Sequence, residues 1–153
     1  MGHNTNHQPL WFDQLELGKT LSLPDIHCSD ELVAGYARLF NANHPLHVDD
    51  DYARKSRFGQ RIVHGPIPIA ASLAAVGDYF GEALIAMLGI ESWRFLGPIV
   101  VGATVTAQFK IAELHPHASK PQGRVLIDVD ILDPDGNPLQ QGSSGMMLAK
   151  QPT

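Results

Sequence analysis

The sequence predicts an α+β domain in which an antiparallel sheet wraps around one long central helix. A single stretch, Pro66 to Leu84, is apolar on nearly every face, which is typical of a helix that is covered on all sides. From Ile90 onwards, apolar residues alternate with polar ones and no helical segment intervenes, which predicts neighbouring antiparallel strands. Because a sheet must cover its apolar face and only this helix is apolar enough, we expect the sheet to wrap the helix.

The first predicted elements are a short strand and an amphipathic helix. The strand lies within Phe12 to Leu23 and is expected to end at Pro24, which has no N–H to donate. The helix is predicted to begin after Ser29, a good N-cap, and two acidic residues occupy its first turn, where the helix dipole favours them. Its apolar residues recur at helical spacing: Leu32, Val33, Tyr36, Ala37 and Phe40.

A loop and a short helix follow. Residues 41–46, NANHPL, contain two asparagines and a proline, which favour a turn, and Pro45 disfavours a helical conformation of the residue before it. Asp49 is suited to cap a short helix that runs through Lys55 and is expected to end at Phe58-Gly59. The loop is therefore predicted to lie between two helices.

The central helix is predicted to begin between Gly65 and Ile67. Pro66 and Pro68 are tolerated only in a first turn, where the backbone N–H groups have no partner within the helix. Strands follow, and the turn sequence DPDGNP precedes the last of them. We expect them to pair in chain order as a meander, over Ile90–Ile99, Thr104–Leu114, Arg124–Leu132 and Leu139–Ala149.

Composition limits the classes of function. The 153 residues fit one domain, predicted over residues 12–150 after a loose polar leader at residues 1–11. The net charge of −5 argues against nucleic-acid binding, because neutralising phosphates needs a basic surface. Cys28 is the only cysteine, so no intrachain disulfide can form and a cytoplasmic location is expected. The apolar stretch Pro66 to Ile90 carries two acids and two prolines and is not expected to span a membrane.

Four stretches of the chain resemble one family. They are FDQLELGKTL from Phe12, HPLHVD from His44, YARKSRFGQRIVHG from Tyr52 and RFLGPIVVGATV from Arg94. Together they resemble the MaoC-like dehydratases and (R)-specific enoyl-CoA hydratases, which have the hotdog fold. The resemblance implies reversible hydration of an enoyl thioester of CoA or a carrier protein, without a cofactor. It also implies a homodimer with the site at the subunit interface, or a hetero-oligomer with a related subunit.

Two residues match the family's catalytic positions. His47 matches the family histidine, and a neutral imidazole can take a proton from water at neutral pH. Gly65 matches the glycine whose backbone N–H, at a helix N-terminus, would stabilise the negative charge that develops on the thioester oxygen. The structural alternatives are a turn histidine that bonds to the backbone and a glycine required by an unusual turn.

The chain departs from the family at one position. The family's catalytic aspartate lies five residues before the histidine, and here that residue is Ala42. Asn43 could position a water molecule through its amide but cannot act as acid or base. His44 could serve as the second proton carrier or could be a structural partner in the loop. An alternative hypothesis is therefore a non-catalytic thioester-binding protein, or one subunit of a hetero-oligomeric hydratase.

The remaining candidates concern binding. His64 is interpreted as a structural residue that bonds to the loop or shapes the pocket, together with Pro66. Arg57 could contact the phosphates of CoA, although a solvated helix face is the commoner role for such a residue. A third interpretation is a hotdog thioesterase, which usually has an acidic residue near the central helix to activate water. The first turns of the helix here carry no acid, so only Asp78, further along, leaves this interpretation open. The eight histidines are scattered, so no metal site is predicted.

Overall fold

The structure, a computed structural model, describes residues 8–153. Apart from two single-turn 3-10 helices at Phe12–Gln14 and Gly81–Ala83, it contains one long α-helix, three shorter α-helices and five strands. In chain order they are β1 (Thr20–His27), α1 (Asp30–Phe40), α2 (Pro45–Val48), α3 (Asp50–Lys55), α4 (Pro66–Phe80), β2 (Leu84–Phe95), β3 (Thr104–Pro116), β4 (Gln122–Leu132) and β5 (Pro138–Ala149). All strands pair antiparallel in one sheet of order β1-β3-β4-β5-β2.

The core lies between the sheet and α4, as the α+β prediction requires. Alternate residues of β3 and β4 are buried, and they face the buried side of α4. The rings of Phe80 and Phe109 meet edge to face with their centroids 5.8 Å apart. The predicted hotdog arrangement, a sheet wrapped around a central helix, is confirmed.

Two strand predictions were wrong. β1 continues past Pro24 to His27, because it is an edge strand and its register shifts between Leu23 and Ile26, so the missing N–H is tolerated. β2 begins at Leu84 and ends at Phe95 instead of running from Ile90 to Ile99.

The predicted pairing of the strands was wrong in one respect. The strands β3, β4 and β5 form a meander, but β2 pairs with β5 and leaves its other side unpaired at the edge of the sheet. Consecutive strands need not be neighbours when the connection between them can cross an end of the sheet. Here that connection, residues 96–103, contacts the segment before α4 through an isolated bridge between Ile62 and Val100.

The central helix begins at Pro66 as predicted, but it is not covered on all sides. Pro66, Ala70, Ala74 and Asp78 are exposed in the protomer. These residues recur every four positions and therefore form one open stripe along the helix. The helix also ends at Phe80, before Leu84, because Gly81 at φ 54 leaves the helical conformation.

The segment between α1 and α4 holds most of the predicted site. Ser29 caps α1 as predicted, since its side chain accepts from Leu32 N–H at 3.1 Å. Asp49 likewise caps α3, which ends at Lys55, before the predicted glycine stop. The predicted loop is shorter than expected, because residues 45–48 form the short helix α2.

Most of the predicted leader, residues 1–7, lies outside the described residues. Within the described part, Leu10 packs against the core and Phe12 is buried. None of the helices in residues 8–153 is both long enough and apolar enough to cross a membrane.

Candidate active site

A cleft of about 580 Å³ opens where α2, the start of α4 and the end of β2 meet. His47, Arg57, Gly65, Pro66 and Gln140 line it, and the rest of the wall is apolar and includes Phe95 and Leu96. The structure therefore brings together the predicted base, the predicted oxyanion donor and two of the three predicted substrate-binding residues. Among the described residues that line the cleft there is no carboxylate.

The His47 ring is held in one tautomer. Its Nδ1 lies 2.7 Å from the carbonyl oxygen of Ile62, and a carbonyl can only accept, so Nδ1 donates. The basic lone pair is therefore on Nε2. Burial lowers the pKa of His47 below its ordinary value of 6.5, while the bond to Ile62 raises it and the neighbouring His64 lowers it. The imidazole is thus neutral at neutral pH, which is the protonation state that a general base needs.

His64 supports His47 from behind instead of lining the cleft. It is 5% exposed, and its ring stacks on that of His47 with centroids 3.9 Å apart. Its Nε2 donates to the carbonyl oxygen of Ala42 at 2.8 Å, which ties the start of α4 to the loop. Its Nδ1 is buried and has no hydrogen-bond partner among the described residues.

Gly65 is the N-cap of α4 and has φ −50 and ψ −40. None of the described residues accepts a hydrogen bond from its N–H. The Phe95 ring lies against it so closely that a Cβ at this position would stand 2.6 Å from Cε1 of Phe95. A side chain would therefore displace the ring that forms part of the cleft wall. The absence of a side chain is required here by close approach, and the N–H remains available to a ligand.

Asn43 and His44 lie on the loop but outside the cleft lining. Nδ1 of His44 accepts from Leu46 N–H at 3.2 Å and so caps α2. Asn43 donates to the side chain of Asn41 at 2.9 Å. Both residues are exposed, and the ring of His44 is 6.0 Å from that of His47. Their catalytic roles remain predictions.

Arg61 is a residue of this region that the sequence did not reveal. Its side chain is 19% exposed and forms ion pairs with Asp30 at 2.6 Å and Asp50 at 2.7 Å. It also donates to the carbonyl oxygen of His47 at 3.3 Å. Arg61 thus joins the starts of α1 and α3 to the backbone that carries the candidate base. One arginine among several in a charged stretch gives no sequence signal, because its partners are 11 and 31 residues away.

Comparisons with known proteins assign the chain to a family. Residues 13–130 match the MaoC-like domain. The chain is 31% identical over 111 residues to a 3-hydroxybutyryl-CoA dehydratase of Methylorubrum extorquens, which covers 70% of this chain and 67% of that protein. It is 33% identical over 101 residues to an (R)-specific enoyl-CoA hydratase of Rhodospirillum rubrum, which covers 65% of this chain and 64% of that protein.

The fold has close counterparts among solved structures. A Mycobacterium tuberculosis protein with a double hotdog fold superposes with a TM-score of 0.83 at 18% identity, over 94% of this chain and 45% of that one. At that identity the likeness concerns the fold alone. The match over residues 13–130 covers most of the chain and includes both His47 and Gly65. This chain therefore belongs to the MaoC-like domain family.

Proposed function

We propose that this protein is a hydro-lyase that reversibly adds water to the double bond of an enoyl thioester of CoA or a carrier protein. The observation that carries the proposal is that His47 and Gly65 line one cleft. The similarity to a 3-hydroxybutyryl-CoA dehydratase and an (R)-specific enoyl-CoA hydratase supports the same substrate class. The domain responsible is residues 12–150.

The first requirement of this chemistry is to stabilise the negative charge that forms on the thioester oxygen. When water adds to C3, the electrons of the double bond move towards the thioester, and negative charge develops on its oxygen. The free Gly65 N–H at the N-terminus of α4 stabilises that charge, because the helix dipole and the donor point the same way. Pro66 has no N–H, so Gly65 is the donor at this end of the helix.

The second requirement is a group that takes a proton from water and delivers one to C2. Nε2 of His47 takes a proton from water as the oxygen bonds to C3, which forms an enolate and an imidazolium. Ala42 occupies the position that matches the family's aspartate, so no carboxylate at that position can carry the second proton. The His47 imidazolium therefore returns its proton to C2. The sum is the addition of one water molecule, and His47 ends neutral. Arg57 at the cleft edge is proposed to contact the phosphates of CoA.

Turnover of crotonyl-CoA and longer enoyl-CoAs tests the proposal. We expect the absorbance of the conjugated double bond to fall when purified protein is added, in proportion to enzyme concentration. Saturable thioester binding with no turnover at high enzyme concentration would contradict the proposal and support a non-catalytic binding protein. We also infer a cytoplasmic location, which the acyl-CoA substrate and the lone buried Cys28 support.

The dependence of kcat/KM on pH should show the lowered pKa of His47. A general base acts only when neutral, so activity is present above its pKa and is lost as pH falls through it. Because burial holds the pKa of His47 below 6.5, we expect the acid limb of the profile to lie below pH 6.5. Initial rates with crotonyl-CoA between pH 5 and 8 measure it, and a limb centred well above pH 6.5 would contradict the assignment.

We further propose a homodimer formed along β2. This strand has one unpaired edge, and its residues Ile85, Met87, Leu88 and Ile90 are each about half exposed. An exposed apolar edge strand is a template for pairing with another strand. Since the end of the same strand lines the cleft, a second copy would lie close to the site.

Charge on the β2 edge should separate the subunits. We expect the double variant Met87→Lys, Ile90→Lys to elute as a monomer, because paired copies would bring like charges together in an apolar interface. Light scattering coupled to size exclusion measures the mass. The matched control is Leu39→Lys, which alters an exposed apolar residue on α1 and should leave the dimer intact. A wild-type protein that is monomeric at high concentration would overturn the dimer.

A further inference from the structure

Gly65 adopts a conformation that its neighbour disfavours. Its φ of −50 and ψ of −40 are helical, yet the next residue is Pro66. The proline ring clashes with the N–H and the Cβ of the residue before it when that residue is helical, and so shifts it towards extended backbone. Glycine has no Cβ and removes one of these two clashes. The other remains, so something else must hold Gly65 in this conformation.

Two hydrogen bonds supply that restraint. Ile67 N–H donates to the carbonyl oxygen of His64 at 3.0 Å and so closes the turn around Gly65, and Gln140 on β5 holds the carbonyl of Gly65 itself. The Gln140 side chain is buried, at 2% exposure, and its Nε2 donates to the carbonyl oxygen of Gly65 at 3.2 Å. Its Oε1 accepts from Nε1–H of Trp93 at 3.1 Å. An indole N–H can only donate, so the oxygen of the amide must face Trp93 and the NH₂ must face Gly65. The orientation of the amide is therefore determined by its two partners.

The position of Trp93 depends on the strand beside it. Trp93 on β2 lies directly opposite Gly142 on β5 in the register of the sheet. A Cβ on Gly142 would overlap the Trp93 ring, so only glycine allows the indole to lie flat across the neighbouring strand. Gly142 thus makes room for the Trp93 ring. The indole N–H of Trp93 orients the amide of Gln140, and this amide in turn holds the carbonyl of Gly65.

We propose that Gln140 is a positioning residue for the reaction, since it holds Gly65 helical so that its N–H points at the substrate oxygen. The inference rests on the proposed function and adds a residue to it. If the bond from Gln140 were lost, only the Ile67-to-His64 bond would oppose the preference of Pro66, and we expect Gly65 to shift towards extended backbone. A change in its ψ would turn its N–H away from the cleft, because the first turn of α4 is held by the packing of Ile67 against the core.

Kinetics of Gln140→Met test the proposal, since methionine fills similar volume and cannot hold the carbonyl. We expect kcat to fall about 10- to 100-fold, as a displacement of about 1 Å can cause, with little change in KM. Trp93→Phe should produce a similar loss, and the double variant should lose little more, because the two residues act in one chain of hydrogen bonds. A Gln140→Met variant with the wild-type kcat would overturn the proposal. So would a double variant whose loss of activity equals the sum of the two single losses in free energy.

A glutamate at position 140 separates positioning from packing. In Gln140→Glu, an ionised carboxylate can accept from Trp93 but repels the Gly65 carbonyl, whereas a protonated carboxyl can donate to it. Burial raises the pKa of such a group. We therefore expect the ratio of variant to wild-type kcat to rise as pH falls. A ratio that is flat with pH would contradict the role. The matched control is Gln141→Met, an exposed neighbour on the same strand, which should keep the wild-type rate.

A measurement without substrate keeps this inference separate from the proposed function. The ¹⁵N–¹H resonance of Gly65 should shift in Gln140→Met and stay in place in Gln141→Met. If the resonance does not move, the positioning role is wrong whatever the enzyme does. If it moves but wild-type protein hydrates no enoyl thioester, the structural link stands and the proposed function fails.

Discussion

His47→Asn should lower kcat for enoyl-CoA hydration by about 10²- to 10⁴-fold, the usual contribution of one general acid–base group. The substitution is chosen because the asparagine NH₂ can still donate to the Ile62 carbonyl, as Nδ1 of His47 does at 2.7 Å. It removes Nε2, the only part of the ring that is free to act as base. Initial rates with crotonyl-CoA, with circular dichroism to verify folding, measure the effect.

The matched control makes the same change at a histidine that caps a turn. Nδ1 of His117 accepts from the N–H groups of Ser119 and Lys120 at 3.2 Å, and an asparagine oxygen can replace it. We expect His117→Asn to keep the wild-type rate. A folded His47→Asn protein that also keeps it would remove His47 from the mechanism.

Ala42→Asp should raise kcat by up to about 10²- to 10⁴-fold, because it restores a second acid–base group where the family has one. The position is suitable, since the backbone of Ala42 is held by His64 at 2.8 Å and the residue is partly exposed. Ala42 and His47 both contact His64, so a carboxylate at position 42 should also raise the pKa of the His47 imidazole and move the acid limb of the pH profile upwards. The rate and the profile are measured together with crotonyl-CoA.

Ala42→Asn provides the comparison for this gain of function. Asparagine has the same shape as aspartate but cannot carry a proton at neutral pH. We expect it to raise the rate little or not at all. Equal rates for the aspartate and asparagine variants would show that the missing carboxylate is not what limits this site.

The helix boundaries were predictable where the signals are local. Ser29 and Asp49 cap their helices through bonds to residues three positions ahead, and a sequence displays such spacing directly. The start of α4 at Pro66 followed in the same way from the tolerance of a first turn for proline. The strands that alternate strictly, β3 and β4, were placed to within two residues for the same reason.

Edge effects were not predictable. Pro24 lies inside β1 because that strand is at the edge of the sheet, and no local pattern states which strand will be an edge. The stripe of α4 that contains Ala70 and Ala74 is open because the sheet covers only part of the helix. Ala70 and Ala74 are small and apolar, so the sequence does not show whether another element covers them.

The sequence by itself determined the fold class, the family and the two main candidates for the site, His47 and Gly65, because these follow from periodicity and short motifs. Only the tertiary structure decided which atoms they present. The tautomer of His47 depends on the carbonyl of Ile62, and the carbonyl of Gly65 is held by Gln140, which is 75 residues away. Hydrogen bonds between groups so distant along the chain exist only once the sheet has closed around the helix, and no spacing in the sequence encodes them.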